Sequence, residues 1–522
     1  MSQPNVLLII CDDLNNAIAG MGRSPAAACP NLQRLMQKGV RFTNAHSNCP
    51  ICMPSRNSLL SGLYPYTTGH YQLWDNQQTC LHINNTMERS RYADIPLLRD
   101  AVMLPKYFKD NGYGVYGAGK VFHQGAYNPT WWTEFAYGTD YGPYLWDSEA
   151  KRPRLRDDRL FLCEGNALAD YVRRYEGVDR FWLDGKRFRH AIELAFGPLE
   201  DALPRGSDIR NGDGSSYHYV SDMQRDPLPD EKTAAWIAAK LKERHTAPFF
   251  LAAGFMKPHS PLNVPQKYFD LFPLDTLQIP PILEGDMEDC ARALIDHRPF
   301  GFLMYRMMHE GGGRLLKEWV QAYLACIAFM DDQVGVILDA LEQSPYLDNT
   351  IVVFTSDNGY HMGEKEYIFK DSLWEEGGQV PLIVAAPGIS TKDRACRKAV
   401  SLVDIYPMLV DLCGLPPEPH ASTHSCPLAG HSLRALLEDP EREIWGGAPV
   451  ALVSVRGDTG VHHSVRSERY RYTLCSNGEE ELYDHQTDPH EWRNLIGVSE
   501  YESIRIWMRQ ELMKLLEKAL RP

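Results

Sequence analysis

The stretch Asn5-Val6-Leu7-Leu8-Ile9-Ile10-Cys11-Asp12-Asp13 decides the fold. From Asn5 to Cys11 it runs apolar without alternation, the pattern of a central strand covered on both faces. Two carboxylates follow at once. A second β-branched run, Ile351-Val352-Val353-Phe354-Thr355, ends in the same way, in Ser356-Asp357-Asn358. In a parallel sheet both acidic ends would lie at the carboxyl edge, where open α/β sheets bind ligands. Carboxylates with an amide oxygen make a hard site, suited to Ca²⁺ or Mg²⁺ rather than Zn²⁺. The competing reading is that each pair only caps the next helix or turn.

Around these two runs the chain alternates. Tyr113–Gly117, Ala247–Ala253 and Val380–Ala385 read as strands. Pro30–Gly39 and the segment ending at Gly112 read as helices. From Trp319 to Glu342, Val320, Leu324, Ile327, Val334, Leu338 and Leu341 recur at helical spacing. Asp331-Asp332 falls inside that helix and reads as buried support or helix surface. The alternation points to an α/β fold with a large, mixed, mostly parallel sheet between helices. Between Gly138 and Arg225 the pattern gives way to Arg, Asp and Gly, which reads as an insertion over the active-site face. After Pro440 shorter strand-like runs and a terminal helix, Ile504–Leu520, suggest a smaller α+β unit. The expected division is 1–440 for the main domain, with 138–225 inserted, and 441–522 for the C-terminal subdomain.

The 522 residues are enough for two to four domains. A hydrophobic share of 44% and a charged share of 23% are those of a globular chain, not a disordered one. A formal charge of −14 argues against general binding to nucleic acid or to an anionic membrane. It leaves room for an anionic small substrate in a local cationic pocket. Val6–Ile10 is too short to span a bilayer and starts too near Met1 for a signal peptide. The expected compartment is therefore the cytoplasm as the chain is written, or the periplasm or exterior if a leader has been removed. The twelve cysteines are scattered, so the fold needs no disulfide framework.

One cysteine stands in a special setting. In Cys49-Pro50-Ile51-Cys52-Met53-Pro54-Ser55-Arg56-Asn57-Ser58-Leu59-Leu60-Ser61-Gly62, Pro54 suits a helix's first turn and Gly62 its stop. Cys52 then precedes a helix N-terminus, with Arg56 one turn inside, a setting that favours negative charge and lowers a thiol pKa. Three other readings stay open: a buried small hydrophobe, a redox pair with Cys49, or half of a zinc site.

Cys52-Met53-Pro54-Ser55-Arg56 resembles the C-x-P-S-R signature of the type I sulfatases of the alkaline phosphatase superfamily. The resemblance covers essentially the whole chain. It takes in Asp12-Asp13, Gly119-Lys120-Val121-Phe122-His123, Lys257-Pro258-His259, Ser356-Asp357-Asn358-Gly359, Gly363-Glu364, Lys370 and Val380-Pro381-Leu382-Ile383. In the tail it includes Val465-Arg466, Arg471-Tyr472-Thr473, Glu481-Leu482-Tyr483-Asp484 and Asp488-Pro489. Lys120-x-x-His123 and the Lys-Pro-His block look most like the iduronate-2-sulfatase-like branch. Met53 is bulkier than the residue usual in the signature, Ser61 replaces a common Thr, and Asn358 stands where some relatives carry His.

The resemblance implies hydrolysis of a sulfate ester. A maturation enzyme would oxidise Cys52 to Cα-formylglycine. Asp12, Asp13, Asp357, Asn358 and the modified Cys52 would hold one divalent cation, calcium ahead of magnesium. Lys120 and Lys370 would neutralise the sulfate oxygens, Arg56 would orient the aldehyde hydrate, His259 would protonate the leaving alcohol and His123 would serve as base. A sulfated saccharide is the expected substrate, with His70, Trp74, His462 and His463 as candidate contacts. Between Lys151 and Arg189 basic residues outnumber acidic ones, which reads either as subsites for an anionic sugar or as a salt-bridged surface. Two alternatives remain: a phosphonate monoester or phosphodiester hydrolase of the same superfamily, and an inactive protein that binds sulfated glycans.

Overall fold

The computed structural model describes residues 3–72, 95–123, 127–139, 227–260, 262, 264–297, 299–310, 313–457 and 460–519. The 138–225 insertion and Trp74 lie outside these residues, apart from Gly138 and Thr139. Among the described residues no helix is long and apolar enough to cross a membrane.

The apolar run at the N-terminus forms β1 (Asn5–Asp12), buried along its whole length. It lies inside a nine-stranded sheet. The other members are β2 (Val40–His46), β3 (Gly114–Gly119), β4 (Glu134–Phe135), β5 (Phe249–Pro258), β6 (Thr350–Ser356), β9 (Gln379–Ala385), β10 (Arg394–Cys396) and β11 (Val400–Ser401). The order is β10-β2-β9-β6-β1-β5-β3-β4, with β11 also on β2. The strands β6, β1, β5, β3 and β4 are mutually parallel, and β9 runs against β2 and β6. Two short strands, β7 (His361–Met362) and β8 (Ile368–Phe369), pair separately.

Burial on both faces explains the unbroken apolar runs. Odd-numbered residues of β1, such as Leu7 and Ile9, enter one core with the helix Arg314–Glu342. Val6, Leu8 and Ile10 enter the other, with the helices Leu104–Asp110 and Ile405–Leu412. The long helix begins five residues before the start read from its periodicity. Its Asp331 supports its neighbours from within: the carboxylate accepts from the backbone N–H of Asn31 and Leu32 at 3.0 and 2.8 Å, capping the helix Pro30–Met36. Asp332 accepts from the Tyr268 hydroxyl at 2.7 Å.

A smaller antiparallel sheet completes the fold: β12 (Ala451–Gly457), β13 (Gly460–Arg466), β14 (Tyr470–Leu474) and β15 (Glu480–Asp484), with the helix Glu502–Ala519. Buried charges join it to the main sheet. Arg471, fully buried, pairs with Glu375 and, at 2.6 Å, with Glu491, and Arg466 pairs with Glu375 at 3.2 Å.

Candidate active site

Register places the acidic strand ends side by side. Cys11 of β1 pairs with Ser356 of β6, so Asp12-Asp13 and Asp357-Asn358 leave the sheet together. On the other flank of β1, Asp12 pairs with Pro258 of β5, which brings His259 to the same edge. Gly119 of β3 pairs with Gly254 of β5, which does the same for Lys120 and His123. This last junction has no room for side chains. A Cβ on Gly254 would run into the Lys120 carbonyl, and one on Gly119 into the carbonyl of Gly254. Gly119 also has a φ of 76°, where glycine is the least strained residue.

The helix Cys52–Ser61 points its N-terminus at this edge, and Gly62 stops it in the left-handed region with φ 71°. Cys52 is the first helical residue rather than the one before it, a shift of one position at a helix end. Arg56, one turn on, is fully buried. Its Nε donates to Asp357 Oδ2 at 2.7 Å, and its Nη2 to the carbonyl of Cys11 at 3.0 Å. Its Nη1 donates to the carbonyls of Lys120 and Val121. Arg56 therefore ties together the tips of β1, β3 and β6 and holds the start of the helix against them.

The Cys52 sulfur lies 3.3 Å from His123 Nδ1 and 3.8 Å from Lys370 Nζ. Lys370 also donates to Asp13 Oδ1 at 2.7 Å, and His259 Nε2 stands 3.8 Å from Asp13 Oδ2. Lys120 pairs with Asp12. Thus Asp12, Asp13, Cys52, Arg56, Lys120, His123, His259, Asp357, Asn358 and Lys370 form one buried cluster.

The donor set fits a divalent cation. Ligand atoms of Asp12, Cys52 and Asp357 lie within 4.8 Å of one another, as do those of Asp12, Asp13 and His259. Among the described residues, Asp12 Oδ1 and Asn358 Oδ1 are buried acceptors with no hydrogen-bond donor, an arrangement that costs free energy unless a cation completes it. Burial pushes the Asp357 carboxyl up to about 6, against the lowering effect of Arg56 and with Asp12 and Asp13 adding to the rise. Burial would also raise Asp12, but Lys120 and His259 hold it well below the usual carboxylate range. Burial lowers Lys370, yet Asp13 and Cys52 keep it well above the ordinary lysine value, so it stays an ammonium. Asp12, Asp13 and Asp357 are set against Arg56, Lys120 and Lys370. A divalent cation added to that balance leaves positive charge facing an incoming anion.

Of the candidate saccharide contacts, His70, His462 and His463 lie among the described residues. His70 faces Asn57, Nδ1 to Nδ2 at 3.1 Å, beside the Cys52 helix. His463 bonds to Ser454 Oγ at 2.8 Å and packs edge-on against Tyr66. His462 accepts from the Ser476 backbone at 3.0 Å and meets the His297 ring. Burial pushes both His462 and His463 down to about 4, so they are neutral near pH 7.

Two supporting residues escaped the sequence reading. Asp230, at the start of the helix Pro229–Lys242, accepts from the backbone N–H of Met256 and Lys257 at 2.7 and 2.9 Å and so fixes the end of β5. Only the Pro229-Asp230-Glu231 helix-start pattern hints at it. Tyr323 reaches Asp13 from the long helix; it is one more residue of a mostly apolar helix in the sequence.

A mostly parallel sheet with helices on both faces, and a polar cluster at its carboxyl edge, give the chain an alkaline phosphatase-like fold. The sulfatase family model matches residues 4–415. The chain belongs to the sulfatase family, enzymes that hydrolyse sulfuric esters. A second model, N-sulphoglucosamine sulphohydrolase, C-terminal, matches residues 363–518. A sulfatase of Formosa agariphila is 32% identical over 96% of this chain and 85% of its own length. Human iduronate 2-sulfatase is 27% identical over 81% of this chain and 71% of its own. Among solved structures, phosphonate monoester hydrolase of Agrobacterium radiobacter superposes with TM-score 0.65 at 21% identity, covering 99% of this chain and 96% of that one. BT4656 in complex with its substrate D-glucosamine-2-N,6-O-disulfate superposes with TM-score 0.67 at 16% identity, covering 99% and 98%.

Proposed function

We propose that this sulfatase removes sulfate from a sulfated carbohydrate, with Cys52 acting as Cα-formylglycine beside a calcium ion. The observation that carries the reading is the Cys52 sulfur 3.3 Å from His123 and 3.8 Å from Lys370, at the helix end that faces Asp12 and Asp357. Hydrated formylglycine supplies two hydroxyls on one carbon, one to attack sulfur and one whose proton loss expels sulfate, which an ordinary Ser or Cys lacks. The cation, held by Asp12, Asp13, Asp357, Asn358 and residue 52, supplies charge stabilisation at the sulfate oxygens.

The chain's own residues supply the rest. Lys120 and Lys370 hold fixed positive charge where the sulfate oxygens sit. Arg56 orients residue 52 through its grip on three strand tips. His123 accepts a proton from residue 52, and His259 gives one to the departing alcohol oxygen, which is a poor leaving group. Water and ester become alcohol and sulfate, with one proton released.

The carbohydrate part is supported by relatives: iduronate 2-sulfatases and an ulvan-active sulfatase of Formosa agariphila, 25% identical over 99% of this chain. Conversion of Cys52 implies a maturation enzyme as a partner. His70, Trp74, His462 and His463 remain proposed saccharide contacts.

The test is a parallel assay of matured protein and Cys52→Ala. The substrates are sulfated mono- and oligosaccharides, an aryl sulfate, a phosphate diester and a phosphonate monoester. Sulfate release from a saccharide, lost in Cys52→Ala, is the expected result. Faster turnover of the phosphorus esters would favour the phosphonate hydrolase reading. Glycan binding without turnover by aldehyde-bearing protein would favour a binding protein.

A further inference from the structure

Asp13 is bent into the left-handed region, with φ 62°. A non-glycine residue adopts that conformation only where its surroundings hold it. The bend lets consecutive carboxylates, Asp12 and Asp13, face one buried cluster, whereas consecutive side chains of a straight strand point to opposite faces. Asp13 Oδ1 accepts from Asn358 Nδ2 and Lys370 Nζ, both at 2.7 Å. Those bonds hold the side chain. The backbone is held elsewhere.

Tyr323, on the helix Arg314–Glu342, is fully buried. Its hydroxyl donates to the Asp13 carbonyl at 2.6 Å and accepts from the Asn15 N–H at 3.0 Å, so one oxygen brackets the bend from both sides. Its ring stacks on Tyr360, whose carbonyl accepts from Asn15 Nδ2 at 2.7 Å. Ser356 Oγ accepts from the Leu14 N–H at 2.9 Å and donates to the Asn358 carbonyl at 3.0 Å. Two hydroxyls from different elements thus hold the turn that carries the acidic pair.

We propose that Tyr323 is a positioning residue that clamps the left-handed turn at Asp13 and so pre-forms the cation site, with Ser356 as its counterpart from β6. This rests on the calcium reading given above. Pre-forming the turn matters because a metal that must also order its ligands binds more weakly. Loss of the hydroxyl leaves the ring packed and frees the Asp13 backbone to relax.

The test measures calcium binding by calorimetry on chelator-treated wild type, Tyr323→Phe and Ser356→Ala, with thermal unfolding of each in calcium-free buffer. The clamp predicts that Tyr323→Phe raises the calcium Kd roughly 2–13-fold, the net worth of a buried hydrogen bond. KM for an aryl sulfate would be unchanged, and kcat would recover as calcium is raised. Ser356→Ala gives the same signature and keeps the test alive if Tyr323→Phe does not fold. A lower calcium-free unfolding temperature with an unchanged Kd would mark both residues as ordinary packing and overturn the proposal. Wild-type protein that binds no calcium would overturn it together with the calcium reading. Tight wild-type binding with unchanged variants would overturn the clamp alone.

Discussion

At the scale of single residues, two members of the buried cluster, His123 and Asp357, each make a prediction. His123 stands 3.3 Å from the sulfur as the proposed base. His123→Asn keeps the shape and removes the titrating nitrogen, so kcat should fall roughly 10²–10⁴-fold with little change in KM. Steady-state rates on an aryl sulfate check it. The second prediction concerns pH. Burial, with Asp12 and Asp13, raises Asp357 to about 6 despite Arg56. A carboxyl raised in the folded state favours the folded protein fully below its unfolded value of about 3.9, and that advantage is lost as pH rises towards 6. A cation bound to the ionised carboxylate restores it. The rise in unfolding temperature caused by calcium should therefore grow as pH goes from about 5 to about 7. Thermal scans with and without calcium read this directly, and a constant or shrinking increment would contradict it.

At the scale of elements, the parallel strands act as a set of aligned pointers. The tips of β6, β1, β5 and β3 end at one edge: β1 and β6 deliver every proposed ligand except residue 52, β5 brings His259, and β3 brings Lys120 and His123. The crossing of Gly119 and Gly254 fixes where Lys120 sits, and Gly254→Ala would place a methyl against its carbonyl. The expected cost is about 1–3 kcal/mol or more from overpacking, with loss of activity; denaturant unfolding measures it. Asp331→Ala should cost about 1 kcal/mol by uncapping the helix Pro30–Met36, with activity largely kept.

These elements differ in how far the sequence announces them. An apolar run followed by carboxylates is a local signal, so β1 and β6 were legible, as was the helix from Cys52 bounded by Pro54 and Gly62. The left-handed bend at Asp13 was not, because it is imposed by Tyr323, which is 310 residues away. Asp230 was missed for the same reason: its two acceptor bonds go to β5, and nothing beside it in the sequence names that partner.

At the scale of the whole molecule, the smaller sheet is tied to the main one through ions rather than through apolar packing alone. Arg471 lies between Glu375 and Glu491 with no exposure, and Glu491 also accepts from the Glu375 backbone. Glu375 belongs to the short helix that leads into β9, so the network reaches the main sheet. Removing the guanidinium leaves Glu375 to Arg466 and Glu491 to His485, each carboxylate short of a buried partner, and Arg471→Ala should cost about 3–5 kcal/mol near neutral pH. Burial raises Glu491, but Arg471 and His485 bring it down to about 2. Its contribution is present above the unfolded value of about 4.3 and is lost as pH falls from there towards 2. An acid-induced fall in unfolding temperature over that window, smaller in Arg471→Ala, is the expected outcome.

The central claim is that residue 52 does its chemistry as an aldehyde. Mass spectrometry of the peptide carrying residue 52, from a preparation whose turnover of a sulfate ester has just been measured, tests it most directly. The account predicts formylglycine or its hydrate there, in a fraction that tracks specific activity across preparations. An active preparation showing only the cysteine thiol would contradict it.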